Sequence, residues 1–323
     1  MSEETSSVLL TGATGFIGAH VLRVLLEAKG GEREDGRPSR GVRALVRTEE
    51  SAGRVRALGA EPLVADLLHP TKALLSAIGE ARYIVHCASP ALSSDTLTVR
   101  PSMDRTLLGA IDPSRVARLV YVCGSSYLGC GEGNAPLDET SASPPFGIAP
   151  SFDEGIKALR ASSGRLDYAI AYVGGVYGRG SWFLEEYLRH IREGKPVVVR
   201  EPAPLWPYIH IDDCARAIAL LLSVSPAALE AVGREIIIAD DEPTPMDVFV
   251  EAVFRAAGRE PDLARHDAEA LHRAVPPHYS MYLGANMPHS NARLRRLGFV
   301  CRYPTIREGV PALGLASPSD GPR

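Results

Sequence analysis

A chain of 323 residues, 45% of them hydrophobic, can bury one large core or two unequal lobes. Its net charge of −4 comes from scattered charges of both signs, which excludes a basic nucleic-acid stripe and a like-charged tail. No apolar run suits a membrane span, MSEETSS at the start lacks a secretory pattern, and Cys87, Cys123, Cys130, Cys214 and Cys301 show no metal-like spacing. A cytoplasmic protein with reduced thiols, no metal site and no nucleic-acid or membrane partner is therefore expected.

Short β-branched runs at 7–11, 42–46, 61–64, 82–87, 117–123 and 166–172 predict strands. Helical patterns at 16–28, 49–58, 70–78 and 102–111 lie between most of them. This alternation implies parallel strands joined by right-handed crossovers, with helices on both sheet faces. The charged, Gly/Pro-containing stretch 29–41 reads as a solvated loop, and 133–151 as a second long loop. Beyond about 175 the rhythm loosens, with helices expected near 181–193, 211–223, 244–257 and 289–297 and strands at 197–199 and 235–239. The last residues, ASPSDGPR, read as a frayed end.

TGATGFIG (11–18) stands between the first strand and the first helix. In that setting Gly12 permits a sharp turn, Gly15 lets backbone approach a pyrophosphate, and Gly18 lets the helix pack on the sheet. The helix start, with Thr14, Phe16 and Ile17, offers unpaired N–H groups and a positive dipole end. A plain strand-to-helix turn is the alternative, and the correct flanking elements favour a dinucleotide cradle.

The motif resembles the TGxxGxxG fingerprint of the short-chain dehydrogenase/reductase superfamily, in its extended, epimerase/dehydratase-like branch. Further resemblances follow in order along the chain: VADL (64–67), IVHCASP (84–90), GGVYGRG (174–180), PYIHIDDCARAI (207–218) and NARLRRLGFVCRYPTIREGV (291–310). The resemblance implies an α/β fold, a doubly wound, Rossmann-like parallel sheet over 1–175. A smaller substrate lobe over 176–323 would return to the sheet near 207–220. It implies that Asp66 and Leu67 lie at the adenine, and that Cys87, Ala88, Ser89 and Val173 line the cofactor. It also implies a small-molecule substrate and a homodimer through helices flanking the fourth and fifth strands.

After the second strand, NAD-preferring members carry an acidic residue. Here ALVRTEESAGR (44–54) places Arg47, with Arg54 further along. A guanidinium suits a 2′-phosphate, so NADP is the expected cofactor, with NAD left open.

The chemistry-bearing half departs from the family. Its YxxxK helix corresponds to SFDEGIKAL (151–159), where Lys157 is present and Asp153 occupies the tyrosine position. A spacing of four puts Asp153 and Lys157 on one helical face. The same stretch also reads as an ordinary helix start, with Ser151 as its cap. YVCGSSYLG (121–129) places Gly124 where the family's serine falls, followed by Ser125, Ser126 and Tyr127. The family's NVxGT helix start has Arg100 and Met103 in its place.

Three readings stand. Asp153 and a neighbouring hydroxyl carry protons while Lys157 holds the ribose; the phenol role moves to Tyr127 or Tyr177; or the chain binds nucleotide without hydride transfer, as a non-redox enzyme, sensor or scaffold. Cys123 reads as a buried strand thiol, and His86 and His210 as architecture. Sugar-nucleotide members carry an arginine before the YIHVDD segment; Trp206 stands there, and Trp182 and Tyr208 add aromatic surface. These three are the expected substrate-binding residues. The expected function is an NADP(H)-binding oxidoreductase, epimerase or dehydratase for a small organic carbonyl or alcohol. Sugar-nucleotide chemistry is a further alternative.

Overall fold

Val8-Leu9-Leu10 is a run of apolar residues with no polar alternation, the pattern of a strand covered on both faces. In the computed structural model, which describes residues 8–27, 41–89, 96–141 and 143–316, it opens a parallel sheet. The loop expected at 29–41 lies, apart from Gly41, outside the described residues, as do 1–7 and 317–323.

The elements, in chain order, begin β1 (Val8–Thr11), α1 (Phe16–Glu27), β2 (Val42–Val46), α2 (Glu49–Ala57), β3 (Glu61–Val64) and α3 (Lys72–Glu80). They continue with β4 (Tyr83–His86), α4 (Thr96–Ala110), β5 (Arg118–Gly124), α5 (Asp153–Ala161), β6 (Tyr168–Val173), β7 (Gly175–Tyr177) and α6 (Trp182–Glu193). Then come β8 (Val197–Arg200), β9 (Leu205–Trp206), β10 (Tyr208–His210), α7 (Ile211–Leu221), α8 (Pro226–Val232), β11 (Glu235–Ile238) and β12 (Thr244–Pro245). The rest are α9 (Met246–Ala256), β13 (Leu263–His266), α10 (Ala268–Ala274), α11 (Pro277–Gly284), α12 (Ala292–Arg296) and α13 (Ile306–Ala312). Short 3₁₀ turns lie at Ser125–Leu128 and Ala149–Phe152.

Seven strands form one sheet in the order β11-β6-β5-β4-β1-β2-β3. The chain runs outward from β1 through β2 to β3, then returns to place β4 on the other side of β1. That reversal makes a topological switch point at the carboxyl ends of β1 and β4, where Thr11 pairs with His86. β1, β5 and β6 are buried along almost their whole length, as a sheet covered on both faces requires.

The chain divides into two compact units by interleaving rather than by a single cut. Unit 1 takes 1–127, 148–172 and 215–236; unit 2 takes 128–147, 173–214 and 237–323. The expected division at 175 is thus crossed by the segment 128–147 and by the return over 215–236. In unit 2, Tyr177, Phe183, Tyr208, Met246, Phe249 and Val253 centre an aromatic-rich core, with Tyr208 stacked on Phe249 at 4.1 Å. No single helix among the described residues is long and apolar enough to cross a membrane.

Several boundaries differ from the sequence expectation for identifiable reasons. α4 starts at Thr96 rather than 102 and carries Pro101 as its sixth residue, past the first turn, where the ring removes the N–H that Leu97 O would otherwise accept. The expected helix at 289–297 shortens to Ala292–Arg296, since Asn291 spends its amide on Ala239, Asp240 and Asp241. Ser151 does not cap α5: its hydroxyl donates to the Ile148 carbonyl, inside a 3₁₀ turn that runs straight into the helix.

α5 packs unusually closely in unit 1. A Cβ added to Gly155 would lie 2.6 Å from both Asp104 Oδ2 and the Tyr121 hydroxyl. Those two groups are bonded to each other and buried, so they have little room to yield. Helix propensity alone would make Gly155→Ala stabilising by about 1 kcal/mol. The steric term has the opposite sign, and overpacking of this kind costs about 1–3 kcal/mol. Urea unfolding of Gly155→Ala is expected to show net destabilisation; a stabilised variant would remove the close approach from the account.

Candidate functional site

The glycine loop is built as its sequence suggests. Gly12 adopts φ +72°, and a Cβ there would meet Ala88 N at 2.6 Å and Cys87 C at 2.7 Å. Gly15 N–H donates to Gly12 O at 2.9 Å, closing the turn. A Cβ on Gly18 would fall 2.1 Å from Gly12 O, so the first turn of α1 lies directly on the loop. That first turn carries no acidic residue, and its opening N–H groups, at Phe16, Ile17 and Gly18, precede the helical ladder. A positive helix end with compact glycine backbone before it fits an anionic pyrophosphate, and nothing in the loop opposes one.

Other residues expected around such a ligand line the carboxyl ends of neighbouring strands. Arg47 is exposed just after β2, and Arg54 lies on α2 with its Nη2 3.0 Å from Ser51 Oγ. Asp66 follows β3; one carboxylate oxygen accepts the Leu68 N–H at 2.9 Å, and Leu67 is buried. Cys87, Ala88 and Ser89 follow β4, with Ala88 N–H donating to Thr11 Oγ1 at 3.2 Å. Burial pushes the Cys87 thiol up to about 12, so it is no nucleophile at neutral pH. Cys123 is buried in β5 with its thiol likewise pushed up by burial. Val173 ends β6.

Tyr127, Asp153 and Lys157 come together in unit 1. Lys157 Nζ lies 2.6 Å from Asp153 Oδ2 across one turn of α5. The Tyr127 hydroxyl donates to Asp153 Oδ1 at 3.0 Å. Both oxygens of the carboxylate therefore face a donor. The hydrogen bond from Lys157 holds the Asp153 carboxyl below its usual range; partial burial opposes this and the Tyr127 bond adds to it. Tyr127 moves the other way: burial first, then the Asp153 carboxylate, push its phenol up to about 12. Ser125 and Ser126 sit in the same 3₁₀ turn as Tyr127 and are buried.

Tyr127 is held by groups that motif reading did not single out. Its ring stacks on Tyr172, with centroids 5.8 Å apart, and the Arg160 guanidinium lies 6.0 Å from its centre. Arg160 pairs with Glu235, which also accepts the Tyr172 hydroxyl at 2.7 Å. Arg160 lies one turn beyond Lys157 on α5, a spacing that could have marked it. Nothing local in the sequence announces Glu235.

The aromatic candidates separate within unit 2. Trp182 is 45% exposed and makes edge contacts with Tyr279 and Tyr282. Trp206 and Tyr208 are core residues instead: Trp206 is 4% exposed, with Nε1 donating to Ala285 O, and Tyr208 is fully buried. Tyr177, the other phenol considered for proton transfer, is also fully buried, with its hydroxyl against Gly309. Burial takes these three out of reach of a solvent-borne ligand because they fill the aromatic core that alternates with the short strands. His86 and His210 are buried too, each facing an aromatic neighbour.

A model of the NAD dependent epimerase/dehydratase family matches residues 8–232. A Stigmatella aurantiaca protein named 4-hydroxy-2-methyl-3-oxo-4-farnesyl-3,4-dihydroquinoline-1-oxide ketoreductase is 25% identical over 338 residues, covering 96% of each chain. Human epimerase family protein SDR39U1, solved with NADPH, is 19% identical with a TM-score of 0.72, covering 95% of this chain and 99% of that one. The Bacillus cereus UDP-glucuronic acid 4-epimerase, solved with NAD, is 16% identical with a TM-score of 0.73, covering 96% of both.

The ionic state of Asp153 is directly testable. Because its folded carboxyl is depressed, the stability it lends is present above the unfolded carboxylate value of about 3.9 and is lost as pH falls toward the folded value. Lys157→Met removes the main cause of the depression. Carboxyl-carbon NMR titration is expected to place Asp153 lower in the wild type than in Lys157→Met; equal midpoints would show that Lys157 does not govern it.

Proposed function

The chain belongs to the NAD-dependent epimerase/dehydratase family, and on that premise we propose an oxidoreductase that uses NADP(H) to interconvert a hydroxyl and a ketone on a ring-bearing organic substrate other than a nucleotide sugar. The observation that carries the reading is the Asp153–Lys157 pair at 2.6 Å, with Tyr127 on the second carboxylate oxygen. By the sequence resemblance, that carboxylate would stand where the family's motif has a phenol.

The residues fit the cofactor in named roles. Gly12, Thr14, Gly15, Phe16, Ile17 and Gly18 would hold the pyrophosphate. Arg47, with Arg54 nearby, would face the 2′-phosphate, and Asp66 and Leu67 the adenine. Cys87, Ala88, Ser89 and Val173 would border the nicotinamide end, with Lys157 on its ribose. When bound, the nicotinamide supplies or accepts a hydride at the substrate carbon.

Asp153 is the proton acceptor in this proposal. The carboxylate is ionised near neutrality and so can take the hydroxyl proton as hydride leaves the carbon; its depression below the usual range makes it a weaker base, as the raised Tyr127 phenol is a weaker acid. Lys157 keeps it ionised and Tyr127 fixes its orientation. Ser125 or Ser126 would supply the hydroxyl that orients the substrate oxygen. Tyr127 supports a second assignment, in which the phenol carries the proton to a ketone and Asp153 holds the phenol in place. The hydrogen bond of 3.0 Å between them favours it, and the elevated phenol disfavours it as a donor.

The substrate class rests on three supports. Trp206, in the position of the pyrophosphate-clamping arginine, is spent on the core. Trp182, with Tyr279 and Tyr282, offers exposed ring surface on unit 2. The Stigmatella relative is named for a ketone on a farnesylated ring system.

Titration with NADPH and NADH, followed by reduced-nicotinamide fluorescence, tests the cofactor reading. Arg47→Asp is expected to weaken NADPH by about tenfold or more, ~1.4 kcal/mol, and to spare NADH. Equal effects on both would withdraw Arg47 from the phosphate. With the ketone-bearing substrate class in hand, Asp153→Asn is expected to lower turnover by about 10²-fold or more with cofactor affinity unchanged. Full turnover in Asp153→Asn combined with loss in Tyr127→Phe would transfer the proton to Tyr127.

A further inference from the structure

Among the described residues of unit 1, the most deeply buried charges lie on α4 rather than on α5. Arg100 and Asp104 are four residues apart and each is 1% exposed. Arg100 Nε lies 2.9 Å from Asp104 Oδ1. The guanidinium also packs on the rings of Phe152 at 4.5 Å and Tyr121 at 5.1 Å, and it donates to the Ala88 carbonyl.

Asp104 extends the network. It accepts from His86 Nε2 at 3.1 Å and from the Tyr121 hydroxyl at 2.5 Å. His86 Nδ1 in turn meets Thr11 Oγ1 at 2.7 Å, and Thr11 Oγ1 accepts the Ala88 N–H at 3.2 Å. The donors assign the protons. Nε2 of His86 carries hydrogen to serve the carboxylate, and in the neutral ring Nδ1 then accepts from the Thr11 hydroxyl. Burial pushes His86 toward that neutral form.

The circuit closes on one residue. Ala88 has its N–H held by Thr11 and its carbonyl held by Arg100, and it is the backbone against which Gly12 turns. Gly155 of α5 rests on Asp104 and Tyr121 at the other side of the same network.

We propose that Arg100 is a positioning residue: through Asp104 and the Ala88 carbonyl it fixes the strand-end backbone that abuts the glycine loop, in register with the helix carrying Asp153 and Lys157. The functional half of this rests on the dinucleotide reading above. The energetic argument is one of alternatives. Burying two charges costs several kcal/mol per ion before pairing, and well-packed apolar replacements are often as stable. An apolar pair at 100 and 104 would fill the space, but it leaves the Ala88 carbonyl without its donor. Holding that carbonyl is what the charged pair does and an apolar one cannot.

The test uses Arg100→Met/Asp104→Asn. This double variant stays charge-balanced and keeps a polar partner for His86 and Tyr121. Hydrogen–deuterium exchange without cofactor is expected to rise in peptides spanning 83–89 and the glycine loop, with the β2 and β5 peptides unchanged. NADPH affinity is expected to fall by about tenfold or more, the scale of one lost hydrogen bond to a charged group. Arg100→Lys, which keeps a cationic donor, is expected to recover part of both effects. Unchanged exchange at 83–89 in a folded double variant overturns the proposal, as does a uniform rise across the sheet, which marks a merely structural role. If the wild type binds neither NADPH nor NADH, the dinucleotide reading fails, and the exchange pattern by itself still decides whether Arg100 positions this backbone.

Discussion

At the switch point of the sheet, the backbone of Gly12 passes so close to Cys87 and Ala88 that no side chain fits between them. This contact depends on β1 and β4 being neighbours, which the reversal in strand order creates. From it follow the left-handed turn at Gly12, the descent of α1 onto the loop at Gly18, and an open positive helix end above β1. The same approach makes Ala88 a junction. Its position is communicated to the glycine loop by contact, to β1 by its N–H bond to Thr11, and to α4 by its carbonyl's bond from Arg100. A steric constraint on one side and an electrostatic one on the other leave this short segment little freedom.

The sheet was legible in the sequence because parallel strands bury both faces. Runs such as Val8-Leu9-Leu10 and Leu119-Val120-Tyr121 have no polar alternation to confuse them, and glycine and proline punctuate their ends. Unit 2 was harder to read. Its strands are two to four residues long, too short for a periodic signal, and β7, β9, β10, β12 and β13 were not foreseen. Aromatic residues there mislead for a related reason. Trp206 and Trp182 look alike in a sequence, yet one closes a core through its indole N–H while the other keeps nearly half its surface in solvent.

The candidate site divides in the same way. Glycine spacing, Arg47 and the Asp153–Lys157 interval are local patterns, so sequence alone points to them. Tyr127 could be named only as one phenol among several, since its partner lies 26 residues away and is reached through the fold. The Arg100–Asp104 network was visible as a departure, Arg100 and Met103 standing in the NVxGT positions, but its meaning depended on His86, Tyr121 and Gly155. Those residues come from a strand, a second strand and a helix, and no spacing rule joins them.

Two ion pairs at the same spacing on two helices of unit 1 therefore differ in kind. Asp153–Lys157 has side chains 40% and 70% exposed, and pairs so wetted contribute little to stability because solvent screens them. Its place beside Tyr127, whose hydroxyl meets the same carboxylate, fits the proposed proton transfer, in which an ionised carboxylate with an adjacent ammonium has a use that stability does not require. Arg100–Asp104 is dry and carries a large desolvation cost; strand ends and facing rings surround it, yet Arg100 Nε and Nη2 make no well-aligned hydrogen bond. A pair of that kind is sensitive to geometry in a way the exposed pair is not, since displacing either member strands a buried charge. Under the proposed function the exposed pair would be free to move toward a ligand, while the buried pair would hold the Ala88 backbone beside the glycine loop. Adaptability would then come from α5 and precision from α4, and Gly155 of α5, which rests against Asp104 of α4, is the point at which the two demands would have to be reconciled.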